Sequence, residues 1–432
     1  MFQLNNFSFK YPNSHKVFEY NGNIECNSGD RILIHGNSGC GKSTLLYSLK
    51  GIIPNTILGE FSGEVLYNNQ NIRNLTSQEK IAIVLQNPKQ QFIHKTVQEE
   101  LAFNLENLQY SIIDIISTIN YFAKQLKIEY LLNKNIEQLS GGEAQKIAIM
   151  SVLMMRPQVL LMDEPTAFLD EESIFELLSL INNLDFDPAI IIVEHNYQYF
   201  KNIINKTIYI DDNGRFSTYN MHPISYDYNK LDLKHIDNII LSIDNLTFNY
   251  NKTNLLNNFS LKLYQQQIIG VKGRSGCGKS TLLKIIAGVI KDYQGEIIIN
   301  HKNLQQYKNF ELYHLLGLLF QNPENHFLTN KVINEVANFD SLVAFNLQEL
   351  AKQNPYTLSE GQKRRLSIVA LNKYIKTRMI YLLDEPTFGQ DYQNINQLIN
   401  MINKLKISGA SFIIVSHDNN FLTSICDQII EL

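Results

Sequence analysis

The segment Gly36-Asn37-Ser38-Gly39-Cys40-Gly41-Lys42-Ser43-Thr44 constrains this chain more than any other. It recurs as Gly273-Arg274-Ser275-Gly276-Cys277-Gly278-Lys279-Ser280-Thr281. Both fit G-x-x-x-x-G-K-[ST]. The glycines let the backbone turn tightly, so that successive N–H groups point inward, as phosphate oxygens require. A helix opening at the lysine adds its positive end. Lys42 and Lys279 are expected to reach the β- and γ-phosphates, and Ser43 and Ser280 to hold Mg²⁺. An apolar run precedes each loop, Ile32-Leu33-Ile34 and Ile268-Ile269-Gly270-Val271. A helix-like run follows, Leu45 to Leu49 and Leu282 to Ala287. With glycine at about 7% of residues, the pattern arises by chance at roughly 1 in 10⁴ positions or fewer. Two copies, each between strand and helix, are not chance.

The spacing from Lys42 to Lys279 is too long for a solenoid repeat and indicates two copies of one domain. Other pairs recur in the same order. Phe7-Ser8-Phe9-Lys10-Tyr11 matches Leu246-Thr247-Phe248-Asn249-Tyr250, and both alternate like half-buried strands. Gly63-Glu64-Val65 matches Gly295-Glu296-Ile297, and Leu85-Gln86-Asn87-Pro88 matches Phe320-Gln321-Asn322-Pro323. Val193-Glu194-His195 matches Val415-Ser416-His417. The first copy closes with Ile208-Tyr209-Ile210 and the turn-prone Asp212-Asn213-Gly214. The expected layout is a first domain over 1–216, a polar linker over 217–238, and a second domain over 239–432. Between the glutamine motif and the next glycine motif the second copy is shorter by about four helical turns. In the first copy this segment reads as helix from Ile112 to Lys127.

Val159-Leu160-Leu161-Met162-Asp163-Glu164 and Ile380-Tyr381-Leu382-Leu383-Asp384-Glu385 read as strands buried on both faces that end in two carboxylates. Open α/β sheets place ligands at that end. Asp163 and Asp384 suit Mg²⁺ bound through water. Glu164 and Glu385 suit polarisation of an attacking water in phosphoryl transfer. Leu139-Ser140-Gly141-Gly142-Glu143 opens a helix expected to run to about Met155 and to stop at Arg156-Pro157. Leu358-Ser359-Glu360-Gly361-Gln362 opens its counterpart. Ser140 with Glu143, and Ser359 with Gln362, form capping boxes. The glycines leave a bare helix start, which suits a second nucleotide's γ-phosphate.

A length of 432 residues exceeds one ordinary core. A net charge of −4 and a pI of about 6.2 give no sign of a nucleic-acid binder. No apolar run approaches the roughly 18 residues needed to span a bilayer. The start, Met1-Phe2-Gln3-Leu4-Asn5, reads as neither signal nor transit peptide, so a cytosolic or membrane-peripheral protein is expected. Cys26, Cys40, Cys277 and Cys426 include no C-x-x-C pair, against structural zinc or an iron–sulfur cluster.

Phosphate loop, glutamine loop, L-S-G-G-[QE] signature, aspartate–glutamate strand and histidine loop, in this order and twice, resemble the ATP-binding cassette (ABC) ATPases. The resemblance implies an α/β fold of two tandem P-loop domains. Each would have a RecA-like core, an antiparallel β subdomain and a helical subdomain, the last reduced in the second copy. It implies that each ATP lies between one cassette's phosphate loop and the other's signature, Ser140, Gly141 and Gly142 or Ser359 and Gly361. Gln86 and Gln321 would contact Mg²⁺ and the attacking water, and His195 and His417 the γ-phosphate. Tyr11 and Tyr250 would stack on adenine. Asp170 and Asp391 would cross the interface. Thr96-Val97-Gln98-Glu99-Glu100-Leu101-Ala102-Phe103 and Asp384-Glu385-Pro386-Thr387-Phe388-Gly389-Gln390-Asp391 further resemble the energy-coupling-factor importers of vitamins, vitamin precursors or transition-metal ions. The implied partners are a transmembrane coupling subunit and a substrate-binding membrane subunit, with this chain peripheral on the cytoplasmic face. Departures are Lys89 with Gln91 and Glu324 with His326 after Q-N-P, and Glu360 in the second signature. The alternatives are the fused ATPase of another importer class, such as one for sugars, and a soluble tandem ATPase of the translation-factor type.

Overall fold

The computed structural model describes residues 1–12, 16–37, 39–75, 81–194, 197–211, 213–218, 236–250, 253–274, 276–373, 379–390 and 392–432. For residues 218, 253 and 360 only the backbone is described. The chain divides into two compact units, Met1–Ile224 and Ser225–Leu432. The break falls inside the stretch expected to be a linker, most of which lies outside the described residues.

In the first unit, β3 (Arg31–His35), β6 (Ile81–Val84), β7 (Val159–Asp163), β8 (Ala189–Val193) and β9 (Lys206–Ile210) run parallel in the order β9-β3-β8-β7-β6. A short β10 (Phe216–Thr218) adds antiparallel to β9. Because strand side chains alternate faces, the apolar strands fill two cores at once. Ile81, Ile83, Val159, Leu161, Ile191 and Val193 join one core with α1 (Lys42–Lys50) and the antiparallel sheet. Ala82, Val84, Leu160, Met162, Ile190 and Ile192 join the other, with the helical segment. The parity of β7 therefore sets Asp163 on the same face as Leu161, toward α1.

The antiparallel sheet has the order β2-β1-β4-β5, with β1 (Phe2–Lys10), β2 (Val17–Ile24), β4 (Glu60–Tyr67) and β5 (Gln70–Asn71). Phe2, Leu4, Phe7 and Phe9 are all buried although Phe7 lies three positions after Leu4, an odd step that strict alternation would put on the other face. A bulge resolves this. Asn6 has φ +46°, and the register shifts there against both neighbours.

The helical segment holds α2 (Val97–Asn107), α3 (Ile112–Gln125) and α4 (Gly141–Leu153). The helix expected to reach Lys127 stops at Gln125, and Lys127 itself is left-handed at φ +53°. The helix expected to reach Met155 stops at Leu153, before Arg156 at φ +50°. Here the left-handed backbone, rather than Pro157 alone, ends the helix. Asp170 caps α5 (Glu171–Asn182) by accepting from Ser173 N–H at 2.9 Å.

The second unit repeats this plan. Its parallel sheet has the order β16-β17-β18-β13-β19, with β13 (Ile268–Lys272), β16 (Leu316–Leu319), β17 (Ile380–Asp384), β18 (Ser411–Val415) and β19 (Gln428–Glu431). Its antiparallel sheet, β12-β11-β14-β15, is formed by β11 (Ile236–Tyr250), β12 (Thr253–Gln265), β14 (Gln294–Ile299) and β15 (Lys302–Asn303). β11 starts three residues before the expected domain boundary. α6 (Lys279–Ile286) follows the second phosphate loop. Where the first unit has α2 and α3, the second has only the short α8 (Val332–Glu335) and α9 (Phe339–Val343) after α7 (Asn309–Leu315). The counterpart of the 14-residue α3 is gone, which accounts for the shortened segment. α10 (Glu360–Ala370), α11 (Tyr392–Ile407) and α12 (Asn419–Ile425) complete the unit.

The bulge recurs too, at Asn245 with φ +53°. This explains the paired glycines of the two β4-like strands. A Cβ on Gly295 would stand 2.6 Å from the Asn245 carbonyl oxygen, and Gly295 has φ +101°. Gly409 has the same φ but open space around it. Gly409→Ala should therefore cost only the left-handed penalty of about 1–2 kcal/mol. Gly295→Ala should cost about 2 kcal/mol more, because backbone must move. Urea unfolding of the two variants tests this, and equal losses would show that the bulge yields freely.

Candidate active site

Both phosphate loops bridge the end of a central strand and the start of a helix. Gly41 and Gly278 precede the helices with φ +105° and +107°. A Cβ at Gly41 would lie 2.3 Å from Tyr20 Oη, so only glycine lets the loop close here. Tyr20 Oη donates to the Gly41 carbonyl at 2.7 Å. Lys42 Nζ donates to the carbonyls of Gly36 at 2.8 Å and Asn37 at 2.9 Å. Lys279 Nζ does the same to Gly273 at 2.7 Å and Arg274 at 2.8 Å. Each lysine is buried and folded over its own loop, so its charge already faces the concavity. Gly39, Cys40, Ser43 and Thr44, and Gly276, Cys277, Ser280 and Thr281, hold the corresponding positions. Ser38 and Ser275 lie outside the described residues. Cys40 is buried and Cys277 partly exposed.

The acid pair sits at the end of β7 and of β17. Asp163 is fully buried, and neither carboxylate oxygen completes a hydrogen bond with good geometry among the described residues. Burial, then the charge of Glu164, raises its pKa to about 7, while the neighbouring Ser43 hydroxyl and Lys42 pull it down. Asp384 is raised to about 6 by burial, offset by Ser280, with Glu385 raising it further. A buried carboxylate beside a serine hydroxyl is a hard oxygen site that a cation would complete. The residues present thus fit Mg²⁺, with Ser43 and Asp163, or Ser280 and Asp384, as its protein partners. No cluster of three His, Cys, Asp or Glu side chains that could cage a metal occurs among the described residues. When bound, Mg²⁺ supplies neutralisation of phosphate charge.

Glu164 and Glu385 adopt left-handed backbone, φ +47° and +50°. Glu164 N–H still donates to Val193 O at 2.8 Å, and Glu385 N–H to Val415 O at 2.9 Å. The ladder is kept while the side chain is turned off the strand axis. Non-glycine residues rarely do this, and such strain gathers at functional sites. The side chains then find different partners. Gln86 Nε2 donates to Glu164 Oε2 at 2.9 Å. Glu385 Oε2 accepts from His417 N–H at 3.2 Å, and His417 Nε2 lies 3.5 Å from Oε1. Burial raises the Glu385 pKa to about 7, with that backbone hydrogen bond and Lys279 opposing. Gln321 is exposed. The structure thus joins Lys42, Asp163, Glu164 and Gln86 in the first unit and Lys279, Asp384, Glu385 and His417 in the second. His195 and Asp391 lie outside the described residues.

Tyr11 and Tyr250 are not equivalent. Tyr11 Oη is 3.1 Å from Thr44 Oγ1, and its ring meets Phe9 and Phe18 edge-on. Tyr250 is 61% exposed. Both signature serines form the expected capping boxes. Glu143 N–H donates to Ser140 Oγ at 3.3 Å and Ser140 N–H returns to Glu143 at 2.8 Å; the Ser359–Gln362 distances are 3.4 and 3.0 Å. Gly141 has a further reason to be glycine, since a Cβ there would lie 2.7 Å from the Phe168 ring. Gly142 and Gly361 follow it inside the helices. The Glu360 side chain is outside the described residues.

The departures after Q-N-P have a physical explanation. Gln91 Oε1 accepts from Leu85 N–H at 2.6 Å. His326 Nε2 accepts from the matching Phe320 N–H at 2.9 Å. A neutral imidazole nitrogen replaces an amide oxygen, and each holds the main chain just before the loop glutamine. Lys89 Nζ donates to Leu139 O at 3.0 Å, and Glu324 instead pairs with Lys363. Arg364, fully buried, donates to the Phe320 and Gln321 carbonyls. Its counterpart Gln145 is equally buried, but neither end of its amide has a partner among the described residues. Sequence reasoning missed Glu100 and Glu335, buried at matching positions. Glu100 accepts from Ile93 and His94 N–H at 2.9 Å, and Glu335 from Leu328 N–H at 2.9 Å. Their repetition after Val97 and Val332 is the signal that could have found them.

His326 gives a pH test. Burial, and then Arg364, lower its pKa to about 4 from 6.5; Lys363 on the same helix is neutralised by Glu324. The neutral form is favoured on folding, so this stability is complete above about pH 6.5 and is lost as pH falls toward 4. Between pH 7 and 5 the loss is about 2 kcal/mol. Buried Asp163, Asp384 and Glu385 titrate with the opposite sign, so the difference between proteins is the quantity to read. His326→Gln should hold the loop as Gln91 does. It should be more stable than the parent at pH 5 and close to it at pH 7, by urea unfolding. A constant difference across that range would exclude the role.

A family model for ABC transporters matches residues 20–167 and 256–388. The HMP/thiamine import ATP-binding protein YkoD of Bacillus subtilis, itself provisionally assigned, is 30% identical, over 98% of this chain and 88% of that protein. An ABC transporter ATP-binding protein of Treponema denticola, also provisionally assigned, is 28% identical over 100% of this chain and 95% of its own. Among solved structures, an RNase-L inhibitor aligns with a TM-score of 0.66 at 18% identity, over 98% of this chain and 87% of that one, a likeness of fold. With the duplicated phosphate loops, acid pairs and capped signatures, these matches show that the chain belongs to the ABC transporter ATPase family, as two fused cassettes that bind ATP with Mg²⁺ and hydrolyse it.

Proposed function

We propose that the protein is the fused ATPase subunit of an energy-coupling-factor importer for a vitamin, a vitamin precursor or a transition-metal ion. No helix among the described residues is long and apolar enough to cross a membrane; on this reading a separate subunit spans it. The observation that carries the reading is a pair of exposed aliphatic tips. Ile93 is 72% exposed and Leu328 82%, each seven residues after its loop glutamine. Each tip's N–H is held by a buried carboxylate, Glu100 or Glu335. A large apolar side chain held rigidly in water at the same place in both cassettes suits docking of apolar helices from a membrane partner. The HMP/thiamine import named for YkoD supports the substrate class. On this reading Glu164 and Glu385 polarise the attacking water, Gln86, Gln321, His195 and His417 line the γ-phosphate, and Ser140, Gly142, Ser359 and Gly361 face phosphate. The protein works at the cytoplasmic membrane face.

The tips also give the test. The tagged full chain, recovered from native membranes, should bring down a transmembrane coupling subunit and a small membrane protein. Ile93→Asp with Leu328→Asp should reduce that recovery by about tenfold or more, while ATPase activity of the isolated chain stays within about twofold. Recovery of the native chain only on ribosomes would instead establish the soluble translation-factor reading.

A further inference from the structure

Glu194 ends up in the active site although the phosphate-binding and hydrolytic motifs assign it no task. It follows β8 directly, is buried, and reaches across the sheet end to the turn that carries Glu164. Its Oε2 accepts from Thr166 Oγ1 at 2.6 Å and more weakly from Thr166 N–H at 3.4 Å. Thr166 is itself buried. The turn Glu164-Pro165-Thr166 is therefore clamped at both ends by consecutive residues of one strand terminus. Val193 O takes the Glu164 N–H, and the Glu194 carboxylate takes Thr166. Glu164 sits between these points in its left-handed conformation.

The second cassette lacks this device. Ser416 stands where Glu194 does, and its hydroxyl lies 3.4 Å from Thr387 Oγ1, longer than a normal hydroxyl hydrogen bond. That hydroxyl also accepts from Asp418 N–H at 3.1 Å. There the Glu385 carboxylate is held by His417 and by the Ser416 hydroxyl.

We propose that Glu194 is a positioning residue of the first cassette. Through Thr166 it fixes the backbone that aims Glu164 at the attacking water. A charge-assisted bond is shorter and stronger than a neutral one, which suits a turn held against its backbone preference.

The test is steady-state hydrolysis of MgATP by the full chain carrying Glu385→Gln, so that turnover reports Glu164, normalised to nucleotide-binding-competent protein, for this parent and for its Glu194→Gln, Glu194→Ala, Thr166→Val and Glu194→Ala/Thr166→Val variants. Glu194→Ala and Thr166→Val should each lower kcat by about 10-fold to 100-fold, with KM for ATP within about twofold. The double variant should lose no more than the worse single, because both singles break the same Thr166 Oγ1–Glu194 bond. Glu194→Gln keeps an acceptor for Thr166 and should stay within about threefold of the parent. A part needed only for folding would lower the melting temperature and the competent fraction but not kcat per competent molecule. If Glu194→Ala does not fold, Thr166→Val and Glu194→Gln decide the matter. Unchanged kcat, a raised KM at constant kcat, or additive losses in the double variant would overturn the proposal.

Discussion

The active end of each cassette depends on how one buried strand stops. β7 and β17 are apolar until their last residue, and that residue is a carboxylate in a medium that penalises charge. The cost is visible in the raised pKa values of Asp163 and Asp384. A serine hydroxyl and a lysine from the adjoining phosphate loop lie on the same face because strand parity puts the aspartate there. The fold thus keeps a carboxylate where only a cation can fully satisfy it. The next residue, Glu164 or Glu385, is a second buried carboxylate, and it leaves the strand direction. It turns into left-handed backbone, and its N–H still completes the ladder to β8 or β18.

Around that shared frame the two cassettes reach the same geometry with different side chains. Gln91 and His326 both accept the amide before the loop glutamine. The glutamate is held by Gln86 in one cassette and by His417 in the other. Arg364 ties the second signature helix to the glutamine-loop main chain, whereas Lys89 in the first reaches from that loop to Leu139 O. Main-chain positions are what is kept. A side chain is exchangeable if it presents a donor or acceptor of the right sign at the right place.

This also sets what the sequence could tell. The phosphate loops, acid strands and capping boxes were legible because their function requires particular residue types at fixed separations. So was the contraction of the second helical segment, from spacing alone. The bulge at Asn6 was not legible, although Gly63 and Gly295 marked it from the facing strand, because an extra residue in a strand resembles a lapse in alternation. Helix ends were misplaced at Lys127 and Met155, since non-glycine residues took left-handed backbone there. Glu194 was in view beside His195, but its partner Thr166 comes from a distant part of the chain. Pairings of that kind appear only once the parallel strands are ordered.

Glu100 and Glu335 show why rigidity, and not exposure alone, matters for Ile93 and Leu328. An exposed aliphatic residue on a loose turn pays conformational entropy when it is ordered against a partner. Here the turn is ordered beforehand. Two N–H groups in the first cassette, Ile93 and His94, converge on one buried carboxylate. In the second, the Leu328 and Thr329 N–H groups and the Thr329 hydroxyl do the same. The carboxylates belong to α2 and α8, which pack into the helical cores through Val97 and Val332. Displacing the tip therefore means either breaking charge-assisted bonds inside the protein or moving the helix with it. The same turn begins at the loop glutamine, and Gln86 Nε2 donates to Glu164 Oε2 at 2.9 Å. In the second cassette Gln321 is exposed, and the tie runs through its carbonyl to Arg364 and the signature helix.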